Sequence, residues 1–380
     1  MIKPLTLIWL GFFSRIFVAL VTGGQLVGDS LYYHWIASRA VTLGERGLDT
    51  SIVGEAGQGL FTFLLSGLYQ ATTDSYFIGC LFTIFTWLLS AFILIKILEL
   101  ISAERKTTFL VLFFYCFLPS SLINTSVPLR ESFELLFVNL LIYSSLRIYI
   151  HKSSSHWLYL IISGFLIGQF HKGLYALSGF IFLAVVMSSY LRNRIKFPLQ
   201  GYFIILPILG VLSVYFYNFL SDSSYDLSDG LYAAIETYQE GTLALTNISR
   251  ATYQPFLMGL EGPFALLFYI PVNLFQYLFE PMPWRISSIL DIILTLENLF
   301  RGFLIYITIK GLINSDILSR RPLLFMFIIY LFLETLWSFG TTNWGTASRH
   351  HVPGMGLILI TGFYFYVKYP LNRKLIKSRS

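Results

Sequence analysis

Charge is scarce in this chain. Only 12% of its 380 residues are Asp, Glu, Lys or Arg, against about 25% in an ordinary soluble domain. That shortage excludes a water-facing surface along the whole length. Cysteine is nearly absent. Cys80 and Cys116 both fall in apolar runs and read as lipid-face or core residues rather than as a disulfide or metal pair. There is no Gly-rich phosphate loop, no Ser-His-Asp arrangement, no Cys-rich metal motif and no nucleotide-binding pattern. No internal repeat of fixed period and no low-complexity segment is visible.

Apolar residues are what is there, at 56%. A membrane-crossing helix takes roughly 20 of them, and the pattern predicts about ten such spans. They lie at 4–22, 76–99, 107–124, 131–149, 156–172, 174–191, 201–220, 286–313, 322–339 and 353–369. The first resembles a signal peptide in length, but no A-x-A-like cleavage site follows, so it reads as an uncleaved span. Segments 57–72 and 263–281 are shorter or broken by Gly and Pro. They read as interfacial or re-entrant pieces, tolerated only against protein or a wet cavity. The expectation is an all-α, polytopic membrane protein, with 1–380 as a single integral membrane domain.

Lys and Arg keep to alternate gaps. Lys3 precedes the first span; Arg105 and Lys106 follow the second, and Arg147 and Lys152 the fourth. Arg192, Arg194 and Lys196 follow the sixth, Arg320 and Arg321 the eighth, and Arg373, Lys374, Lys377 and Arg379 lie near the end. They share one side only if 57–72 does not cross. Basic short loops stay cytoplasmic, so both termini are expected there. The net charge of +6 thus speaks of topology and not of nucleic acid. The outer gaps are 23–75, 125–130, 171–173, 221–285 and 340–352. Two are long, and loops of that length are uncommon unless functional. The sequons at Asn124 and Asn247 matter only in a eukaryotic secretory setting.

Candidate chemistry lies in these outer gaps. Asp29, with Tyr32, Tyr33 and Trp35 after it, opens an expected interfacial helix, since Tyr and Trp favour that depth. It is either a helix cap or a carboxylate at a cavity mouth, placed to deprotonate a hydroxyl. Arg130 and Glu131 open the fourth span after Pro128. Glu134 lies at i+4 from Arg130, on the same helical face, and a carboxylate at that depth is costly unless paired. The cluster is either an interface anchor or the wall of a polar cavity, with Arg130 available to an anion. In the turn His171-Lys172-Gly173, Lys172 has no acidic neighbour in sequence. It either snorkels to water or meets a phosphate. His171 has no second ligand at helical spacing, which argues against a metal. Arg349 and His350 before the last span suit phosphate or sugar hydroxyls, or anchor at the interface. Trp284, in Pro281-Met282-Pro283-Trp284-Arg285, reads as an interface anchor. No metal and no cofactor is expected.

In their order along the chain, these features resemble the GT-C superfamily of membrane glycosyltransferases. The likeness is strongest to the branch of protein O-mannosyltransferases and the aminoarabinose transferase of lipid A. Asp29 with Tyr32 and Tyr33 is similar to the acidic residue and Tyr that follow the first span in that family. Gly57-Gln58-Gly59 onward to Tyr69 is similar to its Gly/Pro-rich stretch and apolar interfacial segment. Gly164 and Gly168 leading to His171-Lys172-Gly173 look like its glycine-spaced span running into Thr-Lys-Gly, with His171 in place of Thr. Arg349, His350 and Pro353 look like its Arg-Tyr-x-x-Pro. The chain departs from the family in having Ser30 where several relatives carry a second acid, and no large soluble C-terminal domain.

The resemblance implies transfer of a sugar, with inversion, from a polyprenyl-phosphate donor to a glycan, lipid or protein acceptor on the outer face. It implies Asp29 as the base, with Lys172 and Arg130 or Arg349 holding the donor phosphate. Glu131, Tyr33, His171 and His350 would support the site or bind acceptor. Together with the compact chain it suggests a bacterial inner membrane. Two other readings stay open. One is an O-antigen or capsule polymerase using a polyprenyl-diphosphate glycan, with Arg250 in its outer loop. The other is a glycan or lipid flippase, although such transporters usually carry internal repeats.

Overall fold

The computed structural model describes residues 3–23, 28–42, 59–193, 249–257 and 265–377, together with Thr237, Gln239, Glu240 and Leu243. The expected span at 201–220, and Asp222, Asp226, Asp229 and Glu236 beyond it, lie outside these residues. Among the described residues there is no strand, only an isolated bridge between Thr252 and Asn343. Five helices are long and apolar enough to cross a membrane: Pro4–Thr22, Tyr76–Leu100, Glu131–His151, Ile289–Asn314 and Arg320–Gly340. The protein is therefore all-helical and membrane-embedded in character. It divides into two compact units, Met1–Phe197 and Pro198–Ser380.

Unit 1 contains α1 (Pro4–Thr22), α2 (Gly28–Thr42), α3 (Gly59–Ala71), α4 (Tyr76–Leu100), α5 (Arg105–Phe117), α6 (Pro119–Asn124), α7 (Glu131–His151), α8 (Ser155–Phe170) and α9 (Leu174–Asn193). α3 has 13 residues and so extends about 20 Å. That is too short for a bilayer core of about 30 Å, in keeping with 57–72 as a non-crossing piece. The single span expected at 107–124 is instead two helices. Leu118 leaves the helical region and Pro119 restarts the chain at the first position of α6, where a missing N–H costs nothing.

The break exposes the last carbonyls of α5 in an apolar interior, and Arg15 of α1 meets them. Its guanidinium is fully buried and uses all five of its N–H donors. Nη1 donates to the carbonyls of Cys116 at 2.8 Å and Gly11 at 3.1 Å. Nη2 donates to Ser121 Oγ at 3.2 Å and to the Tyr115 carbonyl at 3.5 Å. Nε donates to Thr125 Oγ1 at 2.7 Å. The guanidinium also lies 3.5 Å over the Trp87 ring, a favourable cation–π placement. A cation here also answers the negative end of the α5 dipole. Gly11 permits the approach: a Cβ there would sit 2.8 Å from both Cys116 Cβ and Trp87.

A second polar lock joins α4, α5 and α7. Asn139 Nδ2 donates to the Ser90 carbonyl at 3.2 Å and the Tyr115 hydroxyl at 3.0 Å. Where α8 meets α9, Ser178 Oγ donates to the Gly164 carbonyl at 3.0 Å, and a Cβ on Gly168 would overlap the Tyr175 ring. Small residues let the two backbones close up.

Unit 2 contains α10 (Ala265–Phe279), a 3₁₀ turn (Pro283–Arg285), α11 (Ile289–Asn314), α12 (Ile317–Gly340), α13 (Trp344–His350) and α14 (Met355–Lys377). Segment 249–257 pairs with the start of α13. The Tyr253 N–H donates to the Thr342 carbonyl at 2.8 Å, and the Trp344 N–H to the Ala251 carbonyl at 3.1 Å.

Replacing Arg15 with Ala should leave the Tyr115 and Cys116 carbonyls buried without this donor. We expect a loss of roughly 3 kcal/mol or more, read as a lower unfolding temperature in detergent. An unchanged temperature would show that water, and not Arg15, satisfies the α5 end.

Candidate functional site around Arg130

Arg15 fixes the turn that follows α6, and Arg130 ends that turn as the residue before α7. Beneath it lies an apolar cluster built from four sequence-distant regions. Tyr33 and Ala37 come from α2, Phe61, Leu65 and Tyr69 from α3, and Val127, Leu129, Phe133 and Phe170 from the segments that flank the site. Phe133 stacks on Phe170 with centroids 4.9 Å apart, and Tyr33 meets Phe61 edge-on at 5.2 Å. Burial of these rings sets where the polar residues above them must sit.

Those polar residues converge on the Arg130 guanidinium. Its Nε lies 3.4 Å from Glu134 Oε1, the i, i+4 pair read from the spacing. Nη1 donates to the Phe170 carbonyl at 3.3 Å, capping α8 with a cation. Burial works to lower the Arg130 pKa. The Tyr33 oxygen and the carboxylates of Glu134, Glu131 and Asp29 outweigh it and hold the group above its usual range. Glu131 and Glu134 are buried, while Asp29, in the first turn of α2, is exposed. One carboxylate of the cluster therefore reaches water.

His171 follows α8 in extended conformation. Its Nδ1 accepts from the Gly173 N–H at 3.2 Å, so in the neutral ring Nε2 carries the proton. Burial, and then the nearby Arg130 charge, lower its pKa well below the ordinary value. Lys172 is half-buried in the same turn. The structure thus brings Asp29, Tyr33, Arg130, Glu131 and His171 into one electrostatic neighbourhood, with Lys172 next in sequence.

α2 is held in place by side chains not foreseen in the sequence. Ser30 Oγ and the Tyr76 hydroxyl are 2.7 Å apart, and His34 Nδ1 and the Tyr69 hydroxyl 2.9 Å. A Cβ on Gly79 would lie 2.6 Å from that Tyr69 hydroxyl, so glycine is needed for α4 to pass so closely.

Arg349 and His350 belong to unit 2. Both lie in the last turn of α13. His350 stacks on Trp337 at 4.2 Å and hydrogen-bonds Thr341 Oγ1 at 2.9 Å. The adjacent His351, which the sequence did not single out, is buried with its Nδ1 2.6 Å from Glu334 Oε2. It shares a narrow polar cleft with Glu280, Glu297, Asn298, Arg301 and Trp344. The signal that could have found it was Glu334, a carboxylate inside an apolar helix. Trp284 is 73% exposed, as an interface anchor requires. No group of three or more His, Cys, Asp or Glu residues placed to hold a metal ion occurs among the described residues.

No protein-family model matches this chain, and neither does any curated protein or solved structure.

A histidine held neutral in the fold makes stability depend on pH. Between its lowered folded pKa and the unfolded value of about 6.5, the unfolded chain binds the extra proton. Stability should therefore fall as pH drops through that window. His351 adds to the same trend, since burial and Arg301 lower its pKa against the opposing effect of Glu334. Thermal unfolding at pH 7.5 and 5.5 should show a shallower loss for His171→Gln than for wild type. Identical losses would mean that His171 takes up its proton in the folded state.

Proposed function

We propose that the protein is a glycosyltransferase that moves a sugar from a polyprenyl-phosphate donor to an acceptor hydroxyl, inverting the anomeric carbon. One observation carries this reading: an exposed carboxylate, Asp29, is gathered with the half-buried Arg130, the buried Glu134 and Glu131, and the His171-Lys172 turn. The cluster lies at the start of α7, among apolar helices. The resemblance to GT-C enzymes supplies the donor class. In the full reading the chain crosses the membrane about ten times, with both termini in the cytoplasm of a bacterial inner membrane and the site outside.

The residues divide the work by charge. Asp29 takes the proton of the acceptor hydroxyl, whose oxygen attacks the anomeric carbon. The bond from that carbon to the phosphate oxygen breaks, and polyprenyl phosphate leaves with the electron pair. Arg130 already faces carboxylates from Glu134, Glu131 and Asp29, so its charge is largely matched from within. Its best use is to orient Asp29. The developing phosphate charge then falls to Lys172. Glu131 supports Arg130, and Tyr33 and His171 serve the acceptor side. The polymerase reading leans on Arg250, which is engaged with Asp291 at 2.6 Å and with Ser287 and Ser288.

Asn keeps the shape of Asp, so Asp29→Asn should fold normally. Purified in detergent with a cell-lipid extract, wild type should release free polyprenyl monophosphate. The variant should release it at least about a hundredfold more slowly, the usual cost of losing a general base. Polyprenyl diphosphate in place of monophosphate would favour the polymerase, and equal release by both proteins would remove Asp29 from the chemistry.

A further inference from the structure

At the other end of unit 1, the start of α1, the end of α4 and the start of α5 leave an open cavity of about 480 Å³. That is within the usual range of roughly 300–1,000 Å³ for a small-molecule site. Its walls divide by polarity. Leu7, Leu98 and Phe109 make an apolar floor and side, whereas Lys3, Arg105 and Thr108 provide the polar lining. Leu7 and Leu98 are buried, and Lys3 and Arg105 are exposed. One acid, Glu99, also lines the cavity, but Lys96 holds it at 2.9 Å. Neither Lys3 nor Arg105 forms an ion pair among the described residues. Two cations without an ion-pair partner among the described residues thus border an apolar hollow.

The position of the cavity separates it from the site around Arg130. Gly79, near the start of α4, packs against Tyr69 and Pro128. Leu98, near its end, lines the cavity. α4 has 25 residues, so its ends are about 37 Å apart. That spans a bilayer core of about 30 Å, and the two features belong to opposite faces of unit 1.

We infer that this cavity binds an anionic phospholipid. Its phosphate sits between the Lys3 ammonium and the Arg105 guanidinium with the Thr108 hydroxyl donating to it, and an acyl chain lies against Leu7, Leu98 and Phe109. Charge complementarity selects the occupant. A zwitterionic lipid would bring its own cation to two that are already there, while an anionic lipid brings the missing charge. Guanidinium and ammonium groups at the membrane surface are suited to lipid phosphates. The apolar floor gives a lipid an advantage that a free phosphate ion lacks. A bound lipid would tie together the ends of α1, α4 and α5, the helices that Arg15 joins further along. Nothing in this inference depends on sugar transfer.

The test uses the full-length protein in an uncharged detergent and needs no activity assay. Phosphatidylglycerol, phosphatidylcholine and inorganic phosphate are titrated separately. Unfolding temperature and retained lipid, by native mass spectrometry, are the readouts. Phosphatidylglycerol should raise the unfolding temperature and remain bound, and the other two should do neither. Arg105→Ala should weaken phosphatidylglycerol about fivefold, the usual worth of one interfacial cation. Lys106→Ala removes the same charge one residue away, outside the cavity, and should leave binding within about twofold. Ala103→Leu fills the cavity without changing charge and should weaken binding as well. Equal losses in Arg105→Ala and Lys106→Ala would reduce the effect to general attraction and overturn the site. So would equal stabilisation by phosphatidylcholine, or by inorganic phosphate alone.

Discussion

A guanidinium buried without a carboxylate partner holds unit 1 together. Arg15 sits in an otherwise apolar helix, where an unmet charge is prohibitively expensive. It is met by carbonyls that are themselves orphaned, because α5 stops at Phe117 and the chain restarts at Pro119. Each defect satisfies the other. An unbroken helix over 107–124 would leave Arg15 with nothing to bond, and an apolar residue at position 15 would leave the α5 end bare. Thr125, held by Nε at 2.7 Å, is five residues before Arg130. The break and its arginine therefore set the starting point of α7.

The site inherits its order from apolar packing. Tyr33, Phe61, Phe133 and Phe170 form a continuous set of ring contacts under Arg130. Each of these rings belongs to a segment that contributes to the site. Burying the rings therefore positions the polar groups at little further entropic cost. The guanidinium pairs with Glu134 at 3.4 Å and lies in the field of two further carboxylates, those of Glu131 and Asp29. Two of the three are buried; the third, on Asp29, is exposed.

Unit 2 meets the same solvent constraint with pairs. Asp291 accepts from Arg250 at 2.6 Å and from the Trp344 indole at 3.1 Å. Glu280 is faced by Arg285 at 3.3 Å and accepts from the Met282 N–H at 2.9 Å. Glu334 holds His351. Each of these carboxylates is in or beside an apolar helix, and each has a named donor, as a low-dielectric interior demands.

The sequence by itself determined the class of the protein and much of its helix map. Twenty-residue apolar runs have few folded outcomes other than membrane helices, and the short apolar run at 57–72, with Gly57, Gly59 and Gly67 in it, was enough to mark a piece too short to cross. The Arg130–Glu134 pair was legible too, since helical spacing is a local property. What stayed hidden was whatever depends on two distant segments meeting. Arg15 looked like one polar residue in a span, because its partners lie about a hundred positions away. The break at Pro119 was masked by an apolar run that continues across it. That α3 supplies the floor of the site, that His34 and Ser30 tie α2 down, and that His351 pairs with Glu334 were decided by packing alone. Local composition specifies which residues shun water, but only the tertiary structure chooses which polar group answers which.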